Sequence, residues 1–186
     1  MTERTDFEQA AMPHMDAAHN LAFALLRSRA DAEDAVQDGY LRAYRAYHQL
    51  HGASIKPWLL TIVRNVCYRR LQERRRAGNV VSLDEALNSR GSATAMEAHL
   101  TAPQISPEQA AIHASNKTLL TAALDQLPPA FREVIILREI EELSYQEIAD
   151  VIGAPAGTVM SRLSRARAEL RTLLTHMMER NDIDEL

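Results

Sequence analysis

A single cysteine, Cys67, stands in the 186 residues, which excludes an internal disulfide and any CxxC metal site. Its thiol is expected to be a small buried or half-buried side chain. Aromatic residues are scarce, and no apolar run approaches the roughly 18 residues that a membrane span needs. The opening MTERTDFEQ does not read as a secretory signal, so a cytoplasmic chain with no membrane insertion is expected. Nothing resembles a nucleotide-binding glycine loop or a nucleophile beside its base, so neither catalysis nor a cofactor is expected. His14, His19, His48 and His51 occur without the carboxylate or thiol pattern of a zinc site, and no metal is expected either. Positive charge is also in deficit: 21 Lys and Arg face 25 Asp and Glu, for a formal charge of -4.

The distribution of charge is more informative than its sum. Arginines concentrate at Arg64, Arg69, Arg70, Arg74, Arg75 and Arg76, and again from Arg162 to Arg171, while acids concentrate at 31–38 and 139–150. Two basic surfaces on an acidic chain imply two nucleic-acid contacts and a further partner for the acidic faces.

What the chain does contain is helical periodicity. The most legible stretch is LSYQEIADVIGAPAGTVMSRLSRARAEL, from Leu143 to Leu170. Ser144 and Glu147 have the spacing of a capping box, so a helix is expected to begin at Tyr145. Ile148, Ala149 and Ile152 follow at helical spacing, and Gly153 supplies the left-handed residue that ends such a helix. Pro155 is then placed to be the first residue of a second helix. Along that helix Val159, Leu163, Ala166 and Leu170 form a core stripe at about 100° per residue. Gly157, Ser161, Ser164, Arg165 and Ala168 lie opposite. Small and hydroxylated residues flanked by Arg162, Arg167 and Arg171 suit a helix that enters a groove about 12 Å wide and touches base edges. The pattern is a helix-turn-helix with a recognition helix; the competing reading is a helical hairpin with a solvated arginine face.

Upstream, Met15, Ala18, Ala22, Leu25 and Leu26 repeat at helical spacing, with Pro13 bending or restarting the helix. Asp31 can cap the next helix, with Glu33 and Asp34 in its first turn. Ala35, Val36, Gly39 and Ala43 make one face of it, and Asp34, Gln37, Asp38 and Arg42 lie largely away, as either a docking surface or an ordinary solvated face. His48 to Ser54 is a polar loop broken by Gly52. Pro57 opens a long helix in which Leu59, Ile62, Val63 and Val66 pack inward. Trp58 is either a core residue or an aromatic beside a basic face that holds single-stranded nucleic acid. From about Ala77 to Ser106 periodicity fades, apart from a possible turn in SLDEAL, and the stretch reads as an interdomain linker. Ser106, Pro107 and Gln109 start another helix, which Pro128 and Pro129 stop, and PAFREVIILREIEE follows. The expected fold class is all-α: two small helical domains, residues 1–77 and 107–178, joined by a flexible linker at 78–106, the second a four-helix domain with the helix-turn-helix.

With DAEDAVQDGYLRAYR, PWLLTIVRNVCYRR and LPPAFREVIILREIEELSYQEIADVIGAPAGTVMSRLSRARAEL in this order, the chain resembles the extracytoplasmic-function sigma factors, small subunits that direct bacterial RNA polymerase to promoters. The resemblance implies that Asp34, Gln37, Asp38 and Arg42 dock on core RNA polymerase. It implies that the loop with His51 and Ser54, together with Trp58, Arg64, Asn65 and Arg69, captures and holds the minus-ten element as the duplex opens. Gly157, Thr158, Ser161, Arg162, Ser164, Arg165 and Arg167 would read the minus-thirty-five element of promoter DNA, and an anti-sigma factor is an expected further partner. The chain departs from many relatives in carrying Arg69 where they have aspartate, and in placing Pro57 directly before the tryptophan. The residues also admit a dimeric repressor or activator, or a decoy that sequesters a regulator.

Overall fold

The computed structural model describes residues 3–50, 54–76 and 107–184. Among them there are helices and no strands. The first unit comprises α1 (Glu3–Ala11), α2 (Met15–Leu26), α3 (Arg29–Ala46) and α4 (Ile55–Arg76). The second comprises α5 (Pro107–Gln126), α6 (Pro129–Ile135), α7 (Tyr145–Ile152) and α8 (Ala156–Asp184). The expected linker, the turn in SLDEAL and Ser106 lie outside the described residues.

Proline and capping chemistry set most boundaries. Pro13 falls in a short 3-10 turn, Met12–His14, that separates α1 from α2. Ser28, not Asp31, caps α3: its backbone is extended and its hydroxyl accepts from the Asp31 amide at 3.3 Å. Both residue types cap well; the one that wins is three residues earlier, which moves Asp31 into the first turn. There burial works to raise the Asp31 carboxyl, but hydrogen bonds from Arg74 and Ser28 prevail and hold it below its ordinary value. Helix α4 likewise starts at Ile55, two residues before Pro57, which sits where a helical amide needs no partner.

Ala35, Val36, Gly39 and Ala43 are all buried, as the face pattern requires. Gly39 is where α3 and α4 come closest: a Cβ there would lie 2.7 Å from Val63 Cγ2 and 3.3 Å from Val63 Cα. On α4, Leu59, Val63 and Val66 are buried and Ile62 half-buried, while Leu60 and Cys67 join the core unannounced by the sequence reading. Burial raises the Cys67 thiol to about 12, so it stays protonated and inert.

The two units are in contact. One hydrophobic cluster runs from Leu21, Leu25, Leu60 and Val63 of the first into Leu127, Leu137, Ile148 and Leu163 of the second, with α7 against α4 and α6 against α2.

Candidate nucleic-acid interface

The helix-turn-helix is built from local signals. Ser144 Oγ accepts from the Glu147 amide at 3.2 Å, and Glu147 Oε2 accepts from the Ser144 amide at 2.8 Å, completing the capping box. These bonds hold the Glu147 carboxyl below its ordinary value. Gly153 ends α7 at φ 65°. Pro155 immediately precedes α8, and its carbonyl accepts from the Thr158 and Val159 amides at 2.8 and 3.2 Å. It therefore stands at the cap and not at the first helical position expected for it. Val159, Leu163 and Ala166 are buried and Leu170 half-buried, while Gly157, Ser161, Ser164, Arg165 and Ala168 are exposed. Thr158 and Arg162 are half-buried.

The arginines of this helix are not equivalent. Arg165 folds back on its own helix, its Nε donating to the Ser161 carbonyl at 3.3 Å. Arg167 is held by Glu139, with Nη2 at 2.5 Å from Oε1. Arg162 lies on the side toward the first unit, where its charge acts on Glu133 and Tyr68.

On α4, Trp58, Asn65 and Arg69 share one face at about 100° per residue. Asn65 and Arg69 are exposed, and Ser54 is exposed just before the helix. Trp58 is half-buried against the small cluster of Phe7, Ala11, Ala43 and Leu59. It thus combines an apolar seat with a partly accessible ring. Arg64 points elsewhere. Its guanidinium stacks 4.5 Å over the Tyr68 ring and its Nε donates to Oε1 of Glu133, on α6. His51 lies outside the described residues.

Asp34 and Gln37 are exposed on α3; Asp38 and Arg42 are half-buried and paired with each other at 2.9 and 3.1 Å. Beside them opens a groove of about 740 Å³ whose lining includes Met12, Met15, Gln37, Leu41 and Tyr44. Asp34, Gln37, Asp38 and Arg42 make up only the polar half of this face; the apolar half is signalled in the sequence by Leu41 and Tyr44, at helical positions that point away from the core.

Between the units lies a seam of ionisable groups. Glu133, fully buried, accepts from Arg64 and, at 3.0 Å, from the Tyr68 hydroxyl. Arg132, 5% exposed, donates to the carbonyls of Leu124, Asp125 and Leu127 at the end of α5 and, across the seam, to Ala24 of α2 at 2.5 Å. Burial lowers its guanidinium to about 10, still charged at neutral pH. Asp125 binds Arg27, the residue that closes α2 in the left-handed conformation. After a π-helical turn, Ile136–Ile140, Glu141 takes Lys56 at 3.0 Å and Asn20 at 2.9 Å.

Burial raises the Glu133 carboxyl above its ordinary value, against the opposing pull of Arg64 and Tyr68. The folded state therefore keeps a proton that the unfolded chain releases near pH 4.3. Stability from that proton is fully present below the unfolded pKa and is lost as pH rises through the folded one. Chemical denaturation across pH should show the wild type losing stability relative to Glu133→Gln from about pH 4 upward, then levelling off. A difference constant in pH would mean that Glu133 titrates alike in both states.

A helix-turn-helix unit packed on a second helical unit with its own basic helix defines the class: an all-α chain with two candidate nucleic-acid surfaces. Family models for sigma-70 region 2 and sigma-70 region 4 match residues 11–77 and 117–170. The chain is 33% identical over 175 residues to the ECF RNA polymerase sigma factor SigE of Mycolicibacterium smegmatis, covering 90% of this chain and 64% of that one. It is 31% identical over 153 residues to the ECF RNA polymerase sigma-E factor of Escherichia coli K12, covering 81% and 77%. Among solved structures, the sigma factor RpoE of Bartonella quintana, crystallised with the anti-sigma factor NepR, matches with a TM-score of 0.68 at 30% identity, covering 91% of this chain and 97% of that one. CnrH, solved with the cytosolic domain of CnrY, matches with a TM-score of 0.62 at 25% identity, covering 93% and 90%. The chain belongs to the extracytoplasmic-function family of RNA polymerase sigma factors, which are transcription initiation factors.

Proposed function

We propose that this chain is an alternative sigma factor that docks on core RNA polymerase, reads two promoter elements and promotes strand opening for a stress or signal regulon, without catalysis of its own. The observation that carries the reading is the division of α8 into a buried apolar stripe and an exposed face of Gly157, Ser161, Ser164, Arg165 and Ala168. That face presents small and polar groups, which let the helix approach base edges in a major groove. In this reading residues 107–178 form the unit for the minus-thirty-five element, although α8 itself runs on to Asp184. Residues 1–77 form the unit for the minus-ten element, and 78–106 join them. Ser54, Trp58, Asn65 and Arg69 meet the opened strand, with His51 from the preceding loop. Asp34, Gln37, Asp38 and Arg42 meet the polymerase. The chain works in the cytoplasm; no described helix is long and apolar enough to cross a membrane.

The seam adds a condition. Arg64 cannot hold Glu133 and follow a phosphate with the same guanidinium. Promoter engagement by Arg64 therefore requires the two units to part. Such a closed arrangement also suits capture by an anti-sigma factor, the kind of protein bound to the Bartonella relative.

The direct test is footprinting of holoenzyme on a promoter of the regulon. Changing Arg165 to Ala should weaken protection of the upstream element about tenfold, as loss of one good base contact implies, and leave the downstream element protected. Unchanged upstream protection and unchanged promoter preference would remove Arg165 from base reading.

A further inference from the structure

Met160 is 51% exposed, although its side chain is among the larger apolar ones on α8. It is the fifth residue of a helix that starts at Ala156, within the N-terminal turns that a recognition helix presents to base edges. At about 100° per residue, Met160 and Arg165 stand on opposite shoulders of the face formed by Gly157, Ser161, Ser164 and Ala168. Its neighbours along that shoulder are Gly157, which has no side chain, and Ser164, which is short and exposed. Nearby, Ser161 Oγ donates to the Thr158 carbonyl at 3.0 Å and Arg167 bonds Glu139, while Arg165 is exposed on the far shoulder. Met160 is left as an uncovered apolar probe on the base-reading part of the helix.

We propose that Met160 is a specificity-determining residue that reads the 5-methyl group of a thymine in the upstream promoter element. The inference rests on the proposed promoter reading by α8. The chemistry selects the target: among the groups that base pairs expose in the major groove, the others are hydrogen-bond donors and acceptors, and the thymine methyl is apolar. A thioether side chain can accept no strong hydrogen bond and donates none, so pairing it with a donor or acceptor would leave that group desolvated and unsatisfied. Its three rotatable bonds and unbranched shape let it settle against a methyl whose position varies slightly with local DNA geometry. Burying the contact removes apolar surface of both partners from water.

The test uses holoenzyme assembled from the full-length chain and the core polymerase of its own bacterium, on a promoter obtained by mapping transcription starts. Each upstream thymine is replaced in turn by deoxyuridine, which removes only the methyl group. At one position the wild type should lose about fourfold in affinity, the equilibrium equivalent of one methyl-sized group no longer buried. Met160→Ala should bind the unmodified promoter about fourfold more weakly and be indifferent to uridine there. Arg165→Ala should bind more weakly yet keep the uridine effect. A protected upstream element with a flat uridine scan, an unchanged uridine effect in Met160→Ala, or an upstream element without a shared thymine overturns the assignment of Met160 and spares the sigma-factor reading. No upstream protection by the wild-type holoenzyme overturns both.

Discussion

Replacing Arg132 with methionine should lower the stability of the chain by on the order of 4 kcal/mol, seen as a fall in melting temperature on the order of 10 °C. The substitution keeps apolar bulk and removes a guanidinium that donates to four carbonyls. Leu124 and Asp125 lie in the last turn of α5, Leu127 just past its end, and Ala24 in the last turn of α2; Leu124 and Asp125 also accept from the Leu127 amide and from Arg27, so the carbonyls of Leu127 and Ala24 depend most on Arg132. The last carbonyls of a helix have no partner within it, and a cation there also meets the negative end of each helix dipole. One buried side chain thus caps two helices from different units. Water cannot take its place without opening the seam, because Arg132 is only 5% exposed. The loss should exceed that of Arg29→Met, whose partner Glu33 lies one turn away on an exposed surface. Equal and small losses in calorimetry would show that the carbonyls find other donors.

Leu41→Arg should weaken assembly with core polymerase by about a hundredfold, within the range of an interface anchor, while unfolding free energy stays within about 0.5 kcal/mol of wild type. Leu41 is 53% exposed at the edge of the groove that Met12 and Tyr44 also line. It therefore contributes little to the fold but offers apolar surface to a partner. Asp34 and Gln37, exposed on the same wall, frame that surface with polar groups, in the manner of an interface with an apolar centre and a polar rim. Titration of labelled chain with core polymerase measures the effect. Unaltered affinity would place the polymerase on another face.

How much of this was legible in the sequence depended on how local the cause was. The capping box at Ser144 and Glu147, the left-handed Gly153 and the buried stripe of α8 are fixed by residues within one or two turns, so spacing alone located them. The start of α3 is not settled by spacing, because Ser28 and Asp31 are both good caps three residues apart and only the backbone conformation chooses between them. Arg64 and Arg167 stand on helix faces that suit a nucleic acid. Their partners, Glu133 and Glu139, lie 69 and 28 residues away and could not be read from periodicity. The seam itself had one sequence mark, the Arg132 and Glu133 pair set inside the apolar run AFREVIIL. Charged residues at positions flanked by apolar ones on both sides are candidates for buried pairs. Which groups they would meet is a matter of how α6 lies against α2 and α4.

Run-off transcription by purified core polymerase, with and without this chain, on a library of genomic fragments, followed by mapping of the starts, asks whether one chain both recruits polymerase and selects promoters. The chain should direct initiation at a set of starts that share one upstream and one downstream element at fixed spacing, and that vanish when Leu41→Arg replaces the wild type. A folded chain that adds no starts to those of core polymerase alone would contradict this dual role.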